Sequence, residues 1–338
     1  MMPGILDVFD SDAFSLRELT DAVNKAPYKP SRIGELGIFE DKGVTTTAVV
    51  IEEKDGILSL LSTAPRGSQN TVGARAKRKV RTISIPHIPH DDAVIADEVQ
   101  GVRAFGTDSQ LETAATIVAE KLAQARQNHE VTHEHLRVGA IQGNVLDADG
   151  SSVIVNLFDF FGVTEVEVDF DLTDSDTDVR LKCIETARAV EDALGATMYT
   201  KLHCMVGADF FDALISHDYV KDAYYRFQDS INLRNDPRKG FEFGGITFEE
   251  YRGQIGDVEF LDSEVGRVIP LGVPNLFRMY YAPADYMETV NTIGQAIYAK
   301  QERMKFDKGV EIQTQSNPLP MCLRPKCLVK LRIEAEAS

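Results

Sequence analysis

The sequence has no apolar run approaching the ~20 residues that a membrane-spanning helix needs. Its opening, Met1-Met2-Pro3-Gly4-Ile5-Leu6-Asp7-Val8-Phe9-Asp10, carries acids where a secretory signal carries bases, which predicts a cytoplasmic product with no membrane partner. Cysteine is scarce. Cys183, Cys204, Cys322 and Cys327 lack the paired C-x-x-C spacing of zinc sites and read as reduced thiols. Positive charge is also in deficit: 36 Lys and Arg face 53 Asp and Glu, for a net charge of -17. That balance excludes a general nucleic-acid binder, whose affinity depends on a positive surface that releases counterions. DNA remains admissible as a neighbour. There is no G-x-S-x-G, no phosphate-binding glycine loop ending in Gly-Lys-Ser/Thr, no G-x-G-x-x-G, no internal repeat and no low-complexity tract. Nothing assembles a nucleophile, a base and an oxyanion donor, so no enzyme and no cofactor is expected.

What is present begins with a sizeable core: 338 residues with 43% hydrophobic and 26% charged content are ordinary for a globular protein. The most informative stretch runs from Val44 to Pro86. Val44 to Glu53 is dense in β-branched residues and reaches a Lys54-Asp55-Gly56 turn before Ile57 to Leu61, while Lys79 to Ile85 alternates with period two. Between Ser62 and Ala76 the only bulky aliphatic residue is Val72. A ribbon with so little core of its own is marginal in water, which predicts that it lies on another molecule. Its tip and return strand carry Arg66, Arg75, Lys77, Arg78, Lys79 and Arg81 with no acid among them. A basic arm on an acidic body suggests a subunit that recognises copies of itself, through those six residues.

Along the rest of the chain, Ser15 and Glu18 form a capping box, with Phe14 and Leu19 as its staple, before a helix over Leu16 to Lys25. Tyr28 to Phe39 has Pro30, Gly34 and Gly37 and little periodicity, and reads as an extended arm. Ser109 and Glu112 open the longest helical pattern, in which Leu111, Ala115, Val118, Leu122 and Ala125 form one stripe running to about Arg137, roughly 40 Å at 1.5 Å per residue. Val138 to Val145 and Ser152 to Phe160 flank Asp147-Ala148-Asp149-Gly150 and predict a β-hairpin. A helix over Thr177 to Leu194 with Asp176 as cap and Gly195 at its stop, a buried strand over Tyr199 to Val206 and a helix from Asp209 mark a compact α/β unit. In the last third Ile246 to Tyr251 and Cys327 to Ile333 alternate. Val310 to Gln315 is expected to pair with the latter across Asn317-Pro318-Leu319-Pro320.

The sharpest catalytic pattern is His129-Glu130-Val131-Thr132-His133, an H-E-x-x-H match; in zinc peptidases this spacing places two imidazoles on one helix face with the glutamate as base. The polar flanks Arg126-Gln127-Asn128 and Glu134-His135 favour the solvated end of the long helix instead. The extended motif fails too, because Leu136 stands where a glycine is needed and Gly139 where a third histidine would be. A zinc-dependent metallopeptidase is therefore the alternative reading, with no metal ligand assigned. His87, His90, Asp91 and Asp92, spaced by Pro86 and Pro89, read as a surface turn. Asp169, Asp171, Asp174, Asp176 and Asp178 lack the glycine and terminal glutamate of a calcium hand and read as a charged connection ending in a helix cap. Gly240-Phe-Glu-Phe-Gly-Gly245 fits a turn between strands.

The order of these parts resembles the major capsid proteins of tailed bacteriophages, specifically the lambda-type family called capsid protein E. The resemblance covers nearly the whole chain and is carried by Asp12-Ala-Phe-Ser-Leu-Arg-Glu-Leu-Thr20, Ala96-Asp-Glu-Val-Gln-Gly-Val-Arg-Ala104, Phe241-Glu-Phe-Gly-Gly-Ile-Thr-Phe-Glu-Glu-Tyr251 and Ser316-Asn-Pro-Leu-Pro-Met-Cys-Leu-Arg-Pro-Lys326. It implies an α+β tailed-phage major capsid fold. The division expected is an N-terminal arm over 1–42, an extended β-loop over 43–92 and a peripheral domain with spine helix and β-hairpin over 93–168. An α/β axial domain over 169–290 and closing strands of the peripheral domain over 291–338 complete it. The resemblance further implies self-assembly into hexamers and pentamers of an icosahedral shell around double-stranded DNA, bound without sequence specificity, in a virion assembled in the host cytoplasm. Expected partners are a separate scaffolding protein, since the chain begins almost at the arm helix, together with a portal and a possible cement protein.

Overall fold

The computed structural model describes residues 12–26, 31–54, 78–99, 110–226 and 236–334. The helices are α1 (Leu16–Lys25), α2 (Arg32–Leu36), α3 (Ala96–Val99), α4 (Gln110–Gln142), α5 (Leu157–Phe161), α6 (Val179–Leu194), α7 (Ala208–Ser216) and α8 (Asp218–Arg226). The strands up to the middle of the chain are β1 (Phe39–Gly43), β2 (Ala48–Lys54), β3 (Arg78–Ser84), β4 (Ile88–Ile95), β5 (Asn144–Leu146), β6 (Val153–Asn156), β7 (Val166–Asp169), β8 (Lys201–Val206) and β9 (Phe241–Phe243). They are followed by β10 (Ile246–Glu250), β11 (Gln254–Ile255), β12 (Val258–Glu259), β13 (Val265–Leu271), β14 (Phe277–Tyr281), β15 (Tyr298–Arg303), β16 (Gly309–Ser316), β17 (Pro318–Cys322) and β18 (Val329–Arg332).

Two units organise these elements. A six-stranded mixed sheet, ordered β7-β18-β13-β8-β10-β9, packs with α6 and α7 around Phe170, Phe210, Phe211 and Phe248. Strand β10, next to the edge strand β9, is buried along Ile246 to Glu249 rather than alternating, because it lies between β8 and β9 and is covered on both faces. The second unit is the spine helix α4, 33 residues and about 50 Å long, lying near the three-stranded sheet β15-β16-β4. Here α1 closes a smaller core of Leu19, Val23, Val118, Leu122, Ile297 and Ala299. Ser15 caps α1 as its spacing predicts, accepting from Glu18 N at 3.4 Å.

Several expectations are corrected. Tyr28 to Phe39 is not wholly extended, since residues 32–36 form α2, a single turn and a half too short to show a period. The spine runs past Arg137 to Gln142, taking in Val138, Ala140 and Ile141, which were expected in a strand. It stops at Gly143, whose φ of +81° suits the left-handed end of a helix. The hairpin is therefore β5 and β6, and Leu157 to Phe161 turn into α5 because Asn156 accepts from Asp159 N at 3.0 Å. Asp178, not Asp176, caps α6, accepting from Leu181 N at 3.1 Å. Val310 to Gln315 do not pair with the last strand: β16 lies between β15 and β4, whereas β18 joins β13 and β7. Pro318 to Pro320, expected in that crossing, begin strand β17 against β14. His87 to Asp92 are no surface turn either. Residues 88–95 form β4 on the sheet edge, where Pro89, which lacks an N–H, is tolerated. The expected cap at Ser109 lies outside the described residues.

One crossing ties the ribbon to the body. Val44 N donates to Tyr281 O at 2.8 Å and Gly294 N donates to Val44 O at 2.9 Å. A β-carbon at Gly294 would lie 2.0 Å from the Tyr281 carbonyl oxygen and one at Gly43 2.3 Å from Gly294 O, all backbone that cannot swing aside. Gly294→Ala is expected to cost about 3 kcal/mol by overpacking. A urea midpoint unchanged from the parent protein would show that the crossing has slack.

Candidate functional site

Two regions are candidates: the basic ribbon and the histidine-bearing face of the spine. The ribbon is β2 paired antiparallel with β3, in a register that sets Val49 against Ile83, Val50 against Thr82 and Ile51 against Arg81. Its base does not stand free. Val49 and Ile51 are buried in the main core, with Ile83 packed against it, whereas Val50 and Val80 on the other face are exposed. Of the six basic residues, Arg66, Arg75 and Lys77 lie outside the described residues, and Arg78 and Lys79 begin β3. Arg81 is committed within its own subunit. Its guanidinium donates to the carbonyls of Phe160 and, at 3.0 Å, Phe161, and sits 5.9 Å from the Phe160 ring centroid. These are last-turn carbonyls of α5, which have no partner within the helix, so a cation there caps the helix and pins the ribbon to it.

The H-E-x-x-H segment is not a solvated helix end. His129 and His133 are 2% and 1% exposed, in a stripe of buried positions at Val118, Leu122, Ala125, His129, His133, Leu136 and Ala140. Two charged residues here are paired internally: Arg126 donates to Val23 O at 2.7 Å, and Glu130 lies 3.6 and 3.8 Å from Arg126 and Arg137. The imidazoles do not converge. His129 Nε2 is 3.0 Å from Thr314 Oγ1, His133 Nε2 is 2.7 Å from Ser316 Oγ, and the ring centroids are 6.4 Å apart. The spine is thus stitched to β16 by two histidine–hydroxyl pairs. Burial, then the His90 charge, lowers His129 to about 4, and burial with Arg137 lowers His133 in the same direction. Among the described residues no group of three or more His, Cys, Asp or Glu could hold a metal ion.

Glu134, the next residue, was missed as a functional group by sequence reasoning. It is 4% exposed and accepts from Ser31 Oγ at 2.5 Å, Ile33 N at 2.8 Å and Tyr251 OH at 3.3 Å. Arg32, beside it, reaches the other way and makes a bidentate pair with Glu249 of β10, which His203 of β8 also approaches at 3.2 Å. Burial would raise Glu249, but hydrogen bonds from His203 and Arg32 outweigh that and hold it at about 2. The short helix α2 is therefore the junction of spine and sheet.

A spine helix lying near a small sheet, a mixed α/β sheet unit and a two-stranded ribbon together define the tailed-phage capsid fold. A prophage capsid protein of E. coli CFT073 has a TM-score of 0.58 at 15% identity, covering 94% of this chain and 99% of that one. The bacteriophage PhiM1 mature capsid gives 0.50 at 10% identity, covering 92% and 89%. At such identities the likeness is one of fold alone. The chain belongs to the phage major capsid protein E family, which matches residues 15–333. It is 30% identical to the major capsid protein of Salmonella phage Felix O1 (isolate Felix O1-VT1), over 97% of this chain and 98% of that protein. To the major capsid protein of Pseudomonas phage KPP10 it is 28% identical, over 94% and 96%. Its role is that of a tailed-phage major capsid protein, a structural component of the virion.

Proposed function

We propose that this chain closes an icosahedral shell as hexamers and pentamers around packaged double-stranded DNA, with its basic ribbon laid on the neighbouring subunit. The observation that carries this reading is the ribbon itself: anchored at its base by Arg81 and by the burial of Val49 and Ile51, and continuing into a strongly basic run on a body of net charge -17. Acidic subunits repel, and a basic arm laid on the neighbour offsets that repulsion and sets register. Many modest contacts of this kind sum to a stable shell while each stays reversible during growth. In this reading α4 and the β15-β16-β4 sheet form the peripheral unit and the six-stranded sheet the axial one. A separate scaffolding protein, a portal and a cement protein are the proposed partners, assembly takes place in the host cytoplasm, and the protein has no catalytic activity.

Arg81 must be kept out of the test, because it holds the subunit together. Neutralising Arg75, Lys77, Arg78 and Lys79 is expected to leave a folded subunit that no longer assembles, read by circular dichroism and by negative-stain electron microscopy after expression with and without the neighbouring viral genes. Normal closed particles from that variant would remove the basic ribbon from the assembly mechanism. A uniform monomer from the parent chain in both preparations would remove the shell reading itself.

A further inference from the structure

Between β14 and β15 the chain makes two successive i→i+3 turns, Thr289 N donating to Tyr286 O at 3.0 Å and Thr292 N to Thr289 O at 3.1 Å. The first is a 3-10 turn over Met287–Thr289, and the second bends about Val290 (ψ 127°) and Asn291 (φ +61°). Thr289 faces inward, 4% exposed, with its hydroxyl 2.6 Å from Ala284 O and 2.9 Å from Tyr286 O. Met287, Val290 and Ile293, along the same two turns, are 88%, 58% and 68% exposed. The turn is held firmly. Tyr298 OH donates to Ile293 O at 3.3 Å and accepts from Gln295 N at 3.0 Å, Glu288 pairs with Lys300 at 2.7 Å, and Gly294 is locked against Val44. Ile293 Cγ2 rests against Gly43, but most of the surface of these three large apolar side chains faces outward on a fixed turn, and such patches mark interaction surfaces.

The ridge sits in acidic surroundings. Asp285, Glu288 and Asp91 are exposed near Tyr286, and after burial these three charges push its phenol upward, with Lys300 the cation 5.1 Å from its ring. A complementary surface exists on the same chain. The register of β2 and β3 places Val50 and Val80 at diagonal positions on the outer ribbon face, 59% and 61% exposed. On that face the register sets Glu52 opposite Val80 and, one rung further, Lys54 opposite Arg78, a doubly basic rung leading into the basic run. Apolar meets apolar and acid meets base. Both patches are exposed in one subunit, so neither covers the other.

We propose that the Met287–Val290–Ile293 ridge receives the outer ribbon face, at Val50 and Val80, of a second copy of this chain. The inference rests on the reading that the ribbon lies on a neighbour, and it names where. Because the two patches differ, the contact is head-to-tail, the kind that forms rings when the rotation closes.

The test uses cysteine pairs, which the four native cysteines do not disturb because each is fully buried. Full-length chains carrying Val80→Cys and Val290→Cys together, assembled and treated with a short bismaleimide, are expected to give a ladder of covalent multimers on a denaturing gel. Mixing the two single variants should stop at dimers. Val80→Cys combined with Val153→Cys, exposed elsewhere, should give neither. In parallel, Met287→Ser with Val290→Ser and Ile293→Ser is expected to give folded subunits and no sedimentable particles. Absence of the ladder, or normal particles from the serine variant, overturns the proposal. If the variant neutralised at Arg75, Lys77, Arg78 and Lys79 still fails to assemble in that case, the ribbon binds elsewhere on its neighbour; if it too assembles, the ribbon reading falls as well.

Discussion

Glu134→Ala is expected to lower the unfolding free energy by about 5 kcal/mol, the low end for three donors that together lose a charged acceptor contributing about 1.5–3 kcal/mol per hydrogen bond. The geometry is that of a helix cap supplied from another element. Ser31 stands at the N-cap of α2 but its side chain makes no capping bond to the helix; the Ile33 amide is satisfied by Glu134 at 2.8 Å instead. A five-residue helix cannot hold its own first turn, so its stability comes from this carboxylate and from the negative charge placed at its N-terminal dipole. Loss of the carboxylate also strands Tyr251 OH, 7% exposed in the core. Glu134→Gln retains an acceptor without the charge and should cost about half as much. Urea denaturation of the subunit reads both, and limited proteolysis between α2 and β1 reads the release of the junction. A cost below about 1 kcal/mol for the alanine variant would mean that water replaces the carboxylate and that α2 is held by Ile33 alone.

Much of the fold was legible because its signals are local. The Ser15 cap, the glycine stop at Gly195 and the two-residue period of Val329 and Leu331 against Lys330 and Arg332 each follow from one turn or one strand, and each stands in the structure, although the second half of the capping box does not, since Ser15 N donates to Asp12 O. Pairing was not legible. Nothing local in Val310 to Gln315 says that one of its neighbours is β4, a pairing more than 200 residues apart, although its other neighbour, β15, is the strand just before it. Other misses had a signal that went unused. Continuing the stripe of Val118, Leu122 and Ala125 by the same steps of three and four lands on His129, His133, Leu136 and Ala140, so the histidines belonged to the buried face despite their polar neighbours. The same holds for Arg81. Strand parity sets it beside Ile83, on the inward face, apart from Val80, although its charge grouped it with the basic run. Glu134 had no such signal, because its role depends on an arm that returns from more than 100 residues away.

Lowering the pH from 7 to 4 is expected to remove about 3 kcal/mol of subunit stability through His129 alone. The sign follows from the direction of the shift. The folded imidazole titrates at about 4 and the unfolded one at 6.5, so the unfolded chain binds the proton first. Stability therefore falls as pH drops below about 6.5 and stops falling from this source below about 4; His133, shifted the same way, adds to the loss. Glu249 does not confuse the reading. Its folded value of about 2 lies below the ordinary 4.5, so its contribution is intact above 4.5 and is lost only toward 2. Glu130 and Asp41 are both raised, by burial foremost, and oppose the trend because the folded state then holds the extra protons. The measurement is the urea midpoint at pH 7 and pH 4.5 for the parent chain and for His129→Gln, which offers a neutral polar group to Thr314 but cannot titrate. The parent midpoint should drop clearly and the variant's should drop less. Equal midpoints at the two pH values in the parent would show that the buried imidazoles are not held neutral. Since these rings bond Thr314 and Ser316, the element that acid loosens first is the seam between the spine helix and β16, the seam that keeps the 50 Å helix in register with its sheet.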